Sequence, residues 1–162
     1  DAITTAGLVF EGSLDDVGVS GTRSSTRHNS VFQEYKKKQE SWESLYTRIG
    51  HVEPRGYTRL GPAILHAHCK LAEHGAQKKI LILITDGKPT DLDGYEGVHG
   101  VQDVKKACLE GEAQGITTHG LIIDGREKRH FAKMLNYYRL LQDPKEMSEE
   151  LFSILAKALG RK

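Results

Sequence analysis

The chain has 162 residues, 38 % hydrophobic and 28 % charged, with a formal net charge of +1. That suits one domain with its own core, and it excludes a global field that would favour nucleic acid, membrane or acidic substrates. No run approaches ~18 consecutive apolar residues and no charged segment followed by an apolar one opens the chain, so neither a spanning helix nor a signal peptide is expected.

In chain order, residues 2–10 read as the end of a helix. Asp16 to Thr22 alternates Val17 and Val19 with small residues, as a strand does, and His28 to Tyr35 is polar enough for a sheet edge. Lys36, Lys37 and Lys38 read as a solvated turn. Ser41 to Ile49 is expected to be helical, with Trp42, Leu45 and Ile49 on one side. The irregular stretch HVEPRGYTRLGP leads into a helix over Gly61 to Glu73, striped by Ile64, Ala67 and Leu71 and stopped at Gly75. Thr58 lies just before that helix, and Pro62 fits its first turn, where a missing N–H costs nothing.

Lys79 to Thr85, KILILIT, is aliphatic without alternation, the pattern of a strand buried on both faces of a parallel sheet. Val101 to Gln114 reads as a helix with Val104, Cys108 and Leu109 as core candidates, closed by Gly115. Ile116 to Asp124 is a second central strand, Glu127 to Leu135 a short helix and Tyr137 to Leu141 a last strand. Pro144 to Leu159 is the final helix, with Met147, Leu151, Ile154, Leu155 and Leu159 at helical spacing. The alternation from Ile80 onward gives an α/β class: a doubly wound, mostly parallel central sheet flanked by helices, Rossmann-like. Cys69 and Cys108 lack CxxC spacing and are expected to be small buried hydrophobes in a reducing compartment, with the cytoplasm as default.

In such sheets ligands bind beyond the carboxyl ends of the strands. Asp86 stands at that end of the aliphatic strand, where an unpaired carboxylate is costly unless a cation or donors meet it. Thr58 is placed to bring a hydroxyl to the same rim. Two hard oxygen donors suit Mg²⁺ or Mn²⁺ better than zinc. The alternative is that Asp86 caps the turn at Gly87 through its side chain. Arg55 and Arg59 flank Thr58 and are candidates to engage an acidic partner, or they stay solvated. Asp91 and Asp93 fall short of a calcium-loop pattern; they either sit near the rim and tune partner charge or hold an Asx turn. His66 and His68 are about 200° apart on a helix of ~3.6 residues per turn, so they read as packing or surface histidines rather than ligands. No G-x-G-x-x-G, P-loop or G-x-S-x-G occurs. The enzyme alternative is a Mg²⁺-dependent phosphohydrolase, which needs an aspartate nucleophile at a first strand.

Y-T-R-L-G-P-A at Tyr57 to Ala63, followed by I-L-I-L-I-T-D-G at Ile80 to Gly87, resembles the von Willebrand factor A (VWA) family. The resemblance implies a metal-ion-dependent adhesion site (MIDAS) built from a D-x-S-x-S loop, a threonine matched by Thr58 and an aspartate matched by Asp86. The stretch from Thr85 to Ile116, with L-I-I-D at Leu121 to Asp124 and S-S-T-R-H-N at Ser24 to Asn29, is similar to the NorD/CbbO group of bacterial VWA proteins. That group implies an adaptor working with a MoxR-type AAA+ ATPase of the NorQ or CbbQ kind. Its implied target is nitric oxide reductase or Rubisco; a metal-chelatase VWA subunit is the nearby alternative.

The D-x-S-x-S loop is absent from these residues; Asp16 to Ser20, DVGVS, has glycine where the first serine belongs. In VWA folds that loop follows the central first strand. One VWA-like domain over residues 1–162, N-terminally incomplete, is therefore expected, with the polypeptide continuing ahead of Asp1. With the loop present, the implied cofactor is Mg²⁺, or Mn²⁺ or Ca²⁺. One coordination position would stay open for an acidic residue of the target: recognition rather than turnover, with no nucleic acid and no membrane insertion.

Overall fold

A computed structural model describes residues 16–52, 56–87, 89–123 and 128–158. The helix end read over residues 2–10, and Arg55, lie outside the described residues. Strands β1 (Val19–Thr26) and β2 (Asn29–Lys36) form an antiparallel hairpin. Helices α1 (Trp42–Ile49) and α2 (Leu60–Ala72) precede β3 (Lys79–Thr85). Then come α3 (Gly97–Ala113), β4 (Ile116–Ile123), α4 (Lys128–Met134), β5 (Tyr137–Leu141) and, after one 3₁₀ turn, α5 (Met147–Ala158). β3, β4 and β5 form a parallel sheet in that order, Lys79 opposite Ile116 and His119 opposite Tyr137.

Successive residues of a strand point to opposite faces, and both faces of this sheet are covered. Leu81 and Leu83 pack with Leu60 and Ile64 of α2, Val104 of α3, Ile122 and Phe131. Ile82 and Ile84 pack the other way, with Trp42 and Leu45 of α1, Leu121, Leu141 and Leu151. That two-sided cover is why β3 carries an unbroken aliphatic sequence.

β3 nevertheless remains half-exposed along its whole length, whereas β4 is buried at Ile116, Thr118, Gly120, Leu121 and Ile122. The cause is pairing. Among the described residues, β4 has a neighbour on each edge, β3 pairs with β4 alone, and β1 pairs with β2 and, at Ser24, with Tyr57. Between the two unpaired edges lies a cleft of about 1080 Å³, walled by Val19 to Arg23 and Ile80 to Thr85. Leu60, Ile64 and Ala67 border it on one face, and Trp42, Leu151 and Leu155 on the other. The two edges run in the same direction. Asp16, ahead of β1, has Oδ2 3.7 Å from Nδ1 of His74, ahead of β3. At the other end, Ser25 of β1 accepts a 3.2 Å bond from the amide of Leu92, in the loop after β3.

Several local expectations are corrected. Lys36 is not part of a solvated turn: it is 2 % exposed, and its ammonium donates to the carbonyls of Val17, Lys37 and Lys38 at 2.7, 3.1 and 3.1 Å and lies over the Trp42 ring. Three carbonyls and a ring face offset the cost of burying that charge, and burial holds its pKa below the usual lysine value. Cys108 is buried, which pushes its thiol pKa up to about 11, but Cys69 is exposed. The inward stripe of α2 is Leu60, Ile64 and His68, and Cys69 lies ~100° past His68. Leu109, one position past buried Cys108, is likewise exposed. His68 is a core residue with Nε2 2.9 Å from Thr118 Oγ1. α3 begins at Gly97, a full turn before the expected Val101.

Candidate functional site

Three segments meet at the carboxyl-end rim of the cleft: the end of β1, the turn before α2 and the loop after β3. Gly56 makes the second one possible. Its φ of +72° is a region L side chains rarely adopt, and a β-carbon there would come within 2.8 Å of the Ser24 carbonyl. The next residue, Tyr57, then exchanges backbone hydrogen bonds with Ser24 at 2.7 and 2.8 Å. Ser24 Oγ also accepts the Arg59 amide at 3.0 Å. Thr58 bridges to Thr90, whose amide donates to the Thr58 carbonyl at 3.2 Å. Thr58 is thus fixed by backbone bonds on both sides, with its side chain half-buried on the cleft.

Asp86 lines the same cleft at the end of β3 and is exposed. The turn bonds described there are made by Thr85, whose hydroxyl donates to the Gly87 carbonyl at 3.1 Å and accepts the Gly87 amide at 3.4 Å. Thr58 and Asp86 therefore bring one hydroxyl and one carboxylate to one rim. These are oxygen donors of the kind a hard cation takes, but fewer than the ~6 it needs. Among the described residues no three His, Cys, Asp or Glu side chains gather as a metal site. Any further ligands would have to come from waters, a partner or additional chain.

Arg59, Asp91 and Asp93 are brought together behind this rim. The Asp91 side chain is fully buried and that of Arg59 is 11 % exposed, with 3.8 Å between charged atoms; Asp93 lies 3.6 Å from the same Arg59 nitrogen. These are ion pairs beyond hydrogen-bond reach. Asp91 Oδ1 accepts its neighbour Leu92's amide at 2.6 Å, and Asp93 Oδ2 accepts the Arg27 amide at 2.6 Å across the loop. The Arg59 guanidinium lies 4.1 Å from the centre of the Tyr95 ring. Arg59 and Asp91 are thus turned inward, and only Asp93 offers substantial surface.

Two residues of this network escape a reading of the sequence. Tyr95 is 1 % exposed; its hydroxyl donates to Asp103 and accepts the Gly61 amide at 3.1 Å. Burial, reinforced by that carboxylate, pushes the Tyr95 pKa up. A β-carbon at Gly61 would fall within 2.7 Å of the Tyr95 hydroxyl, so the close approach of α2 to Tyr95 requires glycine. A lone aromatic in a polar loop was the available signal for Tyr95; Asp103 had none. Exposed apolar side chains stand nearby in the chain: Tyr57 and Leu92 on these segments, at 40 and 65 %, and Val98 in the first turn of α3, at 77 %.

The family model described as "von Willebrand factor type A domain" matches residues 11–149. A protein named NorD from Stutzerimonas stutzeri is 34 % identical over 153 residues, covering 90 % of this chain and 25 % of that protein. Another NorD, from Brucella suis biovar 1 (strain 1330), is 42 % identical over 83 residues, covering 51 % of this chain and 13 % of its own length. The chain thus spans a quarter or less of these curated relatives. Among solved structures, a von Willebrand factor type A protein from Catenulispora acidiphila has a TM-score of 0.63 at 19 % identity, over 98 % of this chain and 38 % of that one. The pilus adhesin SpaC from Lactobacillus rhamnosus GG has a TM-score of 0.68 at 16 % identity, over 98 % and 28 %. At such identities the two structures speak to the fold alone.

Proposed function

This chain belongs to the von Willebrand factor type A domain family, and we propose that it is the target-recognition domain of a NorD-like adaptor. It binds protein and does not turn over substrate. The observation that supports the reading is that Thr58 and exposed Asp86 line one cleft, with Tyr57 and Leu92 exposed on the adjoining segments. Exposed apolar side chains beside a polar centre are what a protein contact uses.

Thr58 and Asp86 would hold a Mg²⁺ together with further oxygens. When bound, the cation supplies an open coordination position for a carboxylate of the partner. The bridge of Thr58 to Thr90 and that of neighbouring Tyr57 to Ser24 would hold Thr58 in place, and Asp86 would contribute the balancing charge. The Arg59–Asp91 pair braces the loop that separates them. In this reading the adaptor brings nitric oxide reductase, or Rubisco, to a MoxR-type AAA+ ATPase in the cytoplasm. The likeness to proteins named NorD supports the NorD-like part of this reading. No helix among the described residues is long and apolar enough to cross a membrane.

The test is capture. The full polypeptide, immobilised, should retain the ATPase or the reductase in Mg²⁺ and release it in EDTA. Asp86→Ala and Thr58→Ala should each weaken retention by about 10-fold or more, the usual effect of losing a metal ligand or its support. Capture that EDTA and Asp86→Ala leave intact would remove the metal from the reading. Phosphatase turnover lost in Asp86→Ala would replace the adaptor by an enzyme.

A further inference from the structure

A second cleft, of about 960 Å³, lies toward the amino ends of the parallel strands, opposite the rim of Thr58 and Asp86. It is lined by consecutive residues of β5, Tyr137 to Leu140, and by one face of α5, where Glu150, Ser153, Ile154 and Lys157 fall at helical spacing. Among the described residues β5 pairs with β4 alone. A share of its N–H and C=O groups therefore points away from β4, as on any open edge. A single charge on such an edge, here Arg139, is an ordinary guard against stray pairing. This edge carries more than a guard.

Its two faces differ. Tyr137 and Arg139 lie on the side of α5, where Arg139 Nε is 3.4 Å from Glu150 and the Tyr137 ring stacks on His119 at 5.1 Å. Tyr138 and Leu140 alternate to the other side and pack, partly buried, against the core that holds Leu60 and Phe131. The α5 side is cationic. Lys78, Lys79, Arg139 and Lys157 line the cleft, and Glu150 is the one carboxylate there among the described residues. The whole chain carries a net charge of only +1, so positive charge is concentrated at this edge, and a cleft focuses such a field.

We propose that this edge docks an extended segment of a protein partner, one that alternates acidic and apolar residues and adds to β5 as a further strand. Its carboxylates meet Arg139 and Lys157, and its apolar side chains extend the layer of Tyr138 and Leu140. In strand addition the backbone ladder supplies affinity and alternate side chains supply specificity. β5 has five residues, so the docked stretch is about 17 Å long at ~3.3 Å per residue. Charge argues against other occupants. A second copy pairing β5 to β5 would bring two cationic walls together, and the chain's own Arg161 and Lys162 are basic too. A nucleic acid would meet the charge and leave the edge's N–H and C=O groups without a ladder.

Fluorescence anisotropy on the full polypeptide tests it, with a labelled peptide of alternating glutamate and valine against one of alternating lysine and valine. The glutamate peptide should bind about 10-fold more tightly or better, and Arg139→Glu with Lys157→Glu should abolish that preference. A lysine peptide that binds equally well would overturn the proposal. The ladder is tested on the probe, so no strand residue need be changed. Of two glutamate peptides N-methylated at opposite sets of alternate amides, one should lose about 10-fold and the other little, because only one set faces β5. Equal binding by both and by the unmethylated peptide would exclude strand addition. Displacement of the peptide by a single-stranded oligonucleotide of equal charge would make the cleft a general polyanion site and overturn the proposal as well. EDTA should leave peptide binding unchanged; loss in EDTA would move the contact to the rim. The proposal thus stands or falls apart from Mg²⁺-dependent capture.

Discussion

Of two adjacent strands in register, β3 is the more aliphatic and the less buried. It reads KILILIT and is half-exposed throughout, while β4 reads ITTHGLII, carries two threonines and a histidine, and is largely buried. Composition reports which faces a strand is built to cover; it does not report whether both its edges are paired. Among the described residues, β4 has neighbours on both sides, and β3 has one neighbour and a cleft. The same contrast divides the molecule. The parallel sheet is held by ladders, and the β1–β2 hairpin is joined to it at the rim and through side chains.

The strongest test of that contrast is truncation on each strand. Ile122 of β4 is fully buried, so Ile122→Ala should cost about 2–5 kcal/mol in urea denaturation. Leu83 is half-exposed on the cleft, and Leu83→Ala should cost clearly less, below about 2 kcal/mol, because fewer contacts are lost. Equal losses would mean that the Leu83 side chain is as fully enclosed as that of Ile122.

The rim that ties hairpin to sheet is the next place to press. Arg59→Met removes the charge facing buried Asp91 and, through the Arg59 segment, loosens the contact with Ser24. An unpaired buried carboxylate costs about 3–5 kcal/mol where the pair is fully enclosed; the partial exposure of Arg59 puts the expected loss toward the lower end. Adding Asp91→Asn should recover much of it. A double-mutant cycle showing no coupling would mean that the pair does not brace the loop.

The sequence made some of this legible and hid the rest for physical reasons. β3 and β5 run over the residues expected, because an aliphatic run bounded by polar residues leaves little choice of ends. Thr58 and Asp86 stood out because a helix start and a strand end point at the same rim. Lys36 and the Arg59–Asp91 pair were read outward because charged side chains default to solvent; only tertiary partners, the Trp42 ring, three carbonyls and Tyr95, turn them in. Asp103 was invisible because its partner Tyr95 lies in the loop, eight positions earlier. The open edge of β3 was expected only through the missing D-x-S-x-S loop and could not be read from β3 itself.

On the well-paired side, pH offers a subtler handle. Burial holds the pKa of His68, between α2 and β4, below the usual histidine value. A histidine whose folded pKa is depressed contributes stability that is complete above its unfolded pKa of ~6.5 and is lost as pH falls through the folded pKa. Thermal midpoints should therefore drop between pH 7 and pH 5, and His68→Gln should flatten that slope. His119, also lowered by burial, keeps part of the slope. A slope unchanged in His68→Gln would show that carboxylates alone set the acid limit.

The smallest effect is expected on the hairpin, where Lys70 of α2 reaches Glu34 of β2 at 2.6 Å and lies 5.8 Å from the centre of the Phe32 ring. Both charged side chains are more than a third exposed or close to it, at 40 and 35 %, so solvent and salt screen the pair, and Lys70→Ala should cost no more than about 1 kcal/mol. The bond to Lys70 holds the Glu34 carboxyl below its usual pKa, so this contribution is present above the ordinary glutamate pKa and fades as pH falls through the lowered one. Global denaturation is too blunt to see it. Amide exchange within β1 and β2 reports local opening of the hairpin, and there Lys70→Ala should speed exchange at low salt and do little at 1 M salt. A large, salt-independent loss would mean that α2 grips the hairpin through packing at Phe32 and not through charge, and the two halves would then be joined by more than the rim.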